Sequence, residues 1–222
     1  MIPKRVASRY STRFYHHYAR WKLQTDPLYD AVSGTLQHQP PFPILDIGCG
    51  IGLLAFYLRE RGLSTPLHGM DFDPEKISMA QGVAQAYSPV PSFHHGDAHE
   101  PWPDCQGHVC LLDVLQYLDA DNQHTLLEKA VSHVATEGLL IIRSGIHENN
   151  WRYRVTEFSD RLMNLIRLMK SPPIFYPTQH ALEQTLALHG MHLRDCRPLY
   201  GRTPFNNYLL VFQRFDSGRT QR

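Results

Sequence analysis

Ile44-Leu45-Asp46-Ile47-Gly48-Cys49-Gly50-Ile51-Gly52 is the stretch whose residue types and spacing can do chemistry. Three alternating glycines follow a short apolar run, which lets the backbone turn tightly and lets a ligand approach the main chain. A dinucleotide loop reads G-x-G-x-x-G and aims a helix N-terminus at a pyrophosphate. Here the spacing is G-x-G-x-G, and Asp46 precedes the first glycine by two residues. A carboxylate in that place repels phosphate and suits an ammonium group. The loop therefore points away from NAD and toward a cationic nucleoside that carries an amino acid. Asp71 closes the next apolar run, and a carboxylate at a buried strand end needs a partner to be there.

These groups require strands that end together. The pattern predicts strands at Ile44–Ile47, Leu67–Asp71, Ser92–His95, His108–Asp113 and Gly138–Arg143. Between them lie helices at Leu53–Arg61, from the capped start Asp73-Pro74-Glu75, and near Asn122–Ala135. Alternation of this kind implies a mostly parallel sheet with helices on both faces, a Rossmann-like α/β fold. A helix over Thr178–His189 ending at Gly190, then runs at His192–Arg197 and Asn207–Arg214, predict a C-terminal antiparallel pair and a seven-stranded sheet in all. Before the core, residues 1–40 form an N-terminal helical extension, closed by the stiff Gln39-Pro40-Pro41-Phe42-Pro43 linker. Its first helix is expected over Ser8–Gln24, with Tyr10, Phe14, Tyr18 and Trp21 on one face. Asp26 then caps a second helix with Pro27 at its first position. Residues 41–222 are the main domain, with an amphipathic helix at Trp151–Lys170 in an insertion of about 151–176.

Four motifs in order carry a family resemblance: the glycine loop, His68-Gly69-Met70-Asp71-Phe72-Asp73-Pro74, Gly96-Asp97-Ala98, and Leu111-Leu112-Asp113-Val114-Leu115-Gln116-Tyr117-Leu118. Over roughly residues 42–214 the chain resembles the class I S-adenosylmethionine-dependent methyltransferases of small-molecule type. The resemblance implies S-adenosyl-L-methionine as cofactor and S-adenosyl-L-homocysteine as product. Asp46, with Gly48, Cys49 and Gly50, would hold the methionine end, and Asp71 would accept hydrogen bonds from both ribose hydroxyls. Phe72 would lie along the adenine, Asp97 and Ala98 would meet its edge, and Asp113 would sit near the amino-acid portion.

Methyl transfer needs alignment and exclusion of water, with a base only for a protonated nucleophile. In this fold the acceptor groups follow strands four and five or come from the extension. Gln116, Arg143 and Arg154, with Tyr10, Tyr15 and His16, are the candidate substrate residues. His147 is the preferred base, since histidine titrates near neutrality, and Tyr117 is the second catalytic candidate. His94, His95, His99, Cys105, His108 and Cys110 match no compact ligand spacing, so no metal is expected.

The net charge of +1 over 222 residues hides a split. Residues 1–30 carry six basic and two acidic side chains, 31–150 five and fourteen, 151–170 five and two, and 171–222 six and three. An acidic centre between basic flanks suggests an anionic acceptor, an acidic carrier protein or an acidic membrane surface. Ordinary globular composition excludes disorder, collagen and coiled coil, and no apolar run approaches the ~20 residues of a membrane span. The N-terminus does not read as a signal peptide, and four cysteines without a framework fit a reduced, cytoplasmic protein.

The expected activity is methylation of a small or medium organic acceptor at oxygen, carbon or nitrogen. Faint similarity of the N-terminal run to methyltransferases of bacterial lipid or polyene-pigment pathways fits a carrier-bound acyl or aryl acceptor. A nucleic-acid methyltransferase is disfavoured by a pI near 7.8 and by Asp113-Val114-Leu115-Gln116 where an N/D-P-P-Y type motif would stand. An idle cofactor-binding scaffold is disfavoured by the intact glycine loop and Asp71. Oligomeric state is not legible.

Overall fold

The computed structural model describes residues 1–147, 175–200 and 206–215. Its strands, β1 (Ile44–Ile47), β2 (Leu67–Asp71), β3 (Ser92–His95), β4 (His108–Leu112), β5 (Leu139–Gly145), β6 (Met191–Pro198) and β7 (Asn207–Arg214), form one seven-stranded, mostly parallel sheet in the order β3-β2-β1-β4-β5-β7-β6, with an antiparallel C-terminal pair. The chain divides into two compact units, Met1–Cys110 and Leu111–Arg222.

In the first unit, β1 (Ile44–Ile47) is buried along its whole length and runs parallel to β2 (Leu67–Asp71), with Ile44 opposite Leu67 and Ile47 opposite Met70. β3 (Ser92–His95) continues the parallel ladder from β2. β1 is apolar except for Asp46, as a strand covered on both faces should be, whereas β3 at the sheet edge exposes His94 and His95. α4 (Leu53–Glu60) follows the glycine loop, and α5 (Pro74–Ala84) starts at Asp73, whose Oδ1 accepts from the Glu75 N–H at 3.1 Å. Phe93 of β3 fills the space under the loop. A Cβ on Gly52 would lie 2.7 Å from the Phe93 ring, and one on Gly69 would lie 2.6 Å from it. Phe56 of α4 packs on Phe93 and stacks on Tyr87, at centroid distances of 5.6 and 5.0 Å.

The N-terminus departs from the expected single helix. α1 spans Ile2–Ala7 and α2 spans Arg13–Thr25, because the Thr12 hydroxyl accepts the Tyr15 N–H and starts a new helix. Tyr10 falls in the turn between them and is buried, whereas Phe14 and Trp21 on α2 are 67% and 58% exposed. The four aromatics therefore do not share one face. α3 (Leu28–Leu36) starts one residue later than expected, with Pro27 rather than Asp26 as its N-cap, and Asp26 Oδ1 accepts from Leu28 N–H at 3.0 Å from one residue further out.

In the second unit, α6 (Ala120–His133) is capped by Asp119 and α7 (Gln179–Leu188) by Thr178. β4 (His108–Leu112) crosses the boundary between the two units, and β5 (Leu139–Gly145) is fully buried. β5 pairs antiparallel with β7 (Asn207–Arg214), which pairs antiparallel with β6 (Met191–Pro198). The helix expected over Trp151–Lys170, and Arg154 with it, lies outside the described residues. No helix among the described residues is long and apolar enough to cross a membrane.

Gly52 and Gly62 both sit at positive φ, +81° and +86°, but only Gly52 is crowded. Overpacking costs about 1–3 kcal/mol beyond the left-handed strain that both positions share. Urea unfolding should therefore find Gly52→Ala less stable than Gly62→Ala by about that margin. Equal losses would mean that Phe93 does not support the loop.

Candidate functional site

The glycine loop is pinned from beneath. The N–H groups of Gly48 and Cys49 both donate to the Met70 carbonyl of β2, at 2.8 and 3.0 Å. Gly48 and Gly50 take φ of +78° and +57°, which side chains resist. Gly50 donates its N–H to Asp71 Oδ2 at 2.8 Å, while Asp71 Oδ1 accepts from Asp73 N–H at 2.9 Å. One carboxylate thus ties together the loops that follow β1 and β2. A Cβ on Gly50 would meet nothing within 4 Å, so the loop is open there.

Asp46 stands differently. Its side chain is 2% exposed, and no hydrogen bond from another described residue reaches its carboxyl. Burial first, and the neighbouring Asp71 charge second, push its pKa up to about 8. The same burial raises the Cys49 thiol well above its ordinary range, with Asp46 adding to it. A buried acid with no hydrogen-bond donor among the described residues, two residues before the first glycine of the loop, fits a ligand that brings a positive group.

Tyr10 belongs to this loop from outside. Its buried hydroxyl donates to the Ile51 carbonyl at 2.8 Å, so a residue expected to touch substrate braces the loop instead. Tyr15 and His16 are half-buried on α2. Phe72 is exposed, with Lys76 Nζ 5.9 Å from its ring centroid. Beyond β3, Gly96 N–H donates to the Asp71 carbonyl at 3.1 Å. Asp97 Oδ1 accepts from His99 N–H at 2.9 Å, and the Ala98 carbonyl accepts from Trp102 Nε1 at 2.9 Å. Asp46, Asp71 and the 96–102 turn are thus joined through β2.

The second unit gathers the remaining candidates. Asp113 adopts φ +60°, donates its N–H to the Arg143 carbonyl at 2.9 Å, and pairs through Oδ2 with Arg143 Nη1 at 3.0 Å. Arg143 is only 5% exposed. Gln116 is buried, and its Oε1 accepts from Ser144 Oγ at 3.4 Å. Tyr117 ends the 3-10 turn Leu115–Tyr117 and is half-buried. His147 is exposed, with its backbone N–H donated to the Pro177 carbonyl at 3.0 Å.

Gln123 escaped the sequence reading. It is buried on α6, and its Nε2 lies 2.8, 3.2 and 2.9 Å from the carbonyls of Leu115, Leu118 and Phe175. The available signal was an amide on the inward face of an amphipathic helix, beside Leu126 and Leu127.

A parallel sheet with this strand order, a glycine loop after β1, an acid closing β2 and an antiparallel C-terminal pair define the Rossmann-like methyltransferase fold. Residues 44–138 match the family described as Methyltransferase domain. The domain implies S-adenosylmethionine as cofactor. None of the curated proteins matches the chain. Among solved structures, magnesium protoporphyrin IX methyltransferase from Synechocystis PCC 6803, with bound S-adenosylhomocysteine, is similar at TM-score 0.69 and 20% identity, over 95% of this chain and 91% of that one. An O-methyltransferase family protein from Burkholderia thailandensis gives 0.69 and 18%, over 95% of this chain and 63% of that longer one. The Haloferax volcanii complex of the Trm112 methyltransferase activator with a methyltransferase gives 0.67 and 15%, over 90% and 94%.

Between about pH 4 and pH 8 the folded chain keeps a proton on Asp46 that the unfolded chain has lost. Stability should therefore fall as pH rises through that window and level off above it. Asp46→Asn removes this contribution, so urea midpoints measured from pH 5 to pH 8.5 should slope less in the variant. Parallel pH profiles for the two proteins would show that Asp46 titrates normally.

Proposed function

We propose that this chain transfers the methyl group of S-adenosylmethionine to a small or medium organic acceptor. The acceptor is anionic or a carrier-bound acyl or aryl group, as in bacterial lipid or polyene-type biosynthesis. The observation that carries the reading is the buried Asp46 carboxyl just before the glycine loop, with no hydrogen-bond donor among the described residues. It calls for a ligand ammonium, which the amino-acid end of this cofactor supplies.

Each Asp71 oxygen that accepts a backbone N–H keeps a second lone pair, enough for one ribose hydroxyl each. Gly50 leaves room for the methionine portion, with Gly48 and Cys49 beside it. Phe72 offers a ring face for adenine, and Asp97 and Ala98 offer polar edges. The bound cofactor supplies a sulfonium whose methyl is already activated toward attack. The chain's own residues then have to align the acceptor, exclude water and receive a proton where the nucleophile carries one. His147 and Tyr117 take that acid–base role in this reading. Gln116 and the Asp113–Arg143 pair orient the acceptor, joined by Tyr15, His16 and Arg154.

The N-terminal residues 1–40 and the insertion at about 151–176 are read as the cover of the acceptor side, and 41–222 as the methyltransferase domain. Basic residues in both covers support an anionic acceptor. The similar porphyrin methyltransferase and O-methyltransferase family protein support a small-molecule acceptor rather than nucleic acid. Four free cysteines support a reducing, cytoplasmic compartment.

Methyl-labelled S-adenosylmethionine, incubated with the protein and with fractionated cell extract, tests the reading. Label should enter the lipid, small-molecule or carrier-protein fraction, and Asp71→Ala should reduce incorporation at least about a hundredfold, the scale of losing a cofactor-positioning contact. Label in RNA, or S-adenosylhomocysteine binding without transfer to any fraction, would overturn it.

A further inference from the structure

A second constellation lies outside the candidate methyl-transfer residues, on the outer side of α6. His124 and Glu128 stand four residues apart, so their side chains lie one above the other on the same helical face. His189 is the C-cap of α7, where the chain leaves the helix through Gly190 at φ +73°. Both imidazoles present Nε2 to the same carboxylate oxygen: Glu128 Oε1 is 3.2 Å from His124 Nε2 and 3.5 Å from His189 Nε2. The three potential ligand atoms all lie within 4.8 Å of one another.

Those separations have a meaning in coordination chemistry. Zinc bonds of about 2.0–2.1 Å to imidazole and carboxylate, arranged tetrahedrally, put neighbouring ligand atoms roughly 3.3–3.4 Å apart. Two edges of such a tetrahedron are already present. The third requires the imidazoles to approach by no more than about 1.5 Å, which partly exposed side chains can do by small torsional changes. We propose that His124, Glu128 and His189 bind a divalent cation of the zinc class, with water in the fourth position. Two imidazoles and one carboxylate suit zinc, and nickel or copper by affinity, rather than magnesium or calcium, which take oxygen ligands.

The site is a staple between two helices. It holds the end of α7 to α6 one residue beyond Gln123, the amide whose Nε2 reaches the carbonyls of Leu115, Leu118 and Phe175. A compact-motif search of the sequence does not find it, since the fold brings the third ligand from 61 residues beyond Glu128.

Zinc titration by calorimetry of the chelator-dialysed full chain tests the proposal, with cobalt substitution as a spectroscopic readout. One equivalent should bind, and cobalt should give the intense visible bands of a four-coordinate site. His189→Ala and Glu128→Gln should each weaken binding at least about tenfold, whereas His38→Ala and His99→Ala should leave it unchanged. With 14 histidines in the chain, adventitious binding would appear as titrations that all four variants alter alike or not at all. That result, or no binding below about 0.1 mM, would overturn the proposal. Should His189→Ala fail to fold, Glu128→Gln decides it alone, since Glu128 is an exposed residue in mid-helix.

Discussion

Asp71 accepts the N–H of Gly50 through one oxygen and the N–H of Asp73 through the other, and that single carboxylate fixes two loops at once. The consequence for Asp46, one strand away, is severe. It is buried beside a charge already committed to the backbone, and no described side chain or N–H compensates it. Burial and repulsion both favour its neutral form, so the apo chain carries a proton in a place where a cation would be welcome. The first unit is organised around this asymmetry. Phe93 props the loop from below, Met70 receives two of its amides, and Tyr10 holds its far end through Ile51.

Much of this frame was legible because it depends on local rules. The Gly48, Gly50 and Gly52 spacing, the cap at Asp73-Pro74 and the C-cap at Gly190 each follow from short-range backbone sterics. The parallel strands followed from alternation with helices, and the antiparallel C-terminal pair from two strand-like runs with only a loop between them. What was not legible depends on tertiary partners. Nothing in the run from Ser8 to Gln24 says that Thr12 restarts the helix or that Tyr10 turns inward to reach a carbonyl 41 residues away. Arg143 reads as an available cation in the sequence, yet it is buried and paired with Asp113 across an intervening helix and turn. Gln123 reads as an ordinary helical polar residue and instead gathers three carbonyls.

The same distinction separates cofactor from acceptor. A cofactor of fixed chemistry leaves a fixed imprint, here a carboxyl that needs an ammonium and a loop that needs glycine. An acceptor is met by side chains on additions to the fold, and their types set charge and shape without naming a molecule. Folds of this kind host many acceptors, so Asp46 and Asp71 say more about activity than the architecture does. The N-terminal helices are basic and turn Phe14 and Trp21 outward, so they offer positive charge and apolar rings without naming a molecule.

The central claim is that a ligand ammonium replaces the proton on Asp46. Calorimetry of S-adenosylhomocysteine binding at pH 7, repeated in buffers of different ionisation enthalpy, counts the protons exchanged. A carboxyl with a pKa near 8 that ionises on binding should release most of one proton per ligand bound, and Asp46→Asn should release none. Binding with no proton release by the unsubstituted protein, or equal release from both proteins, would contradict the account.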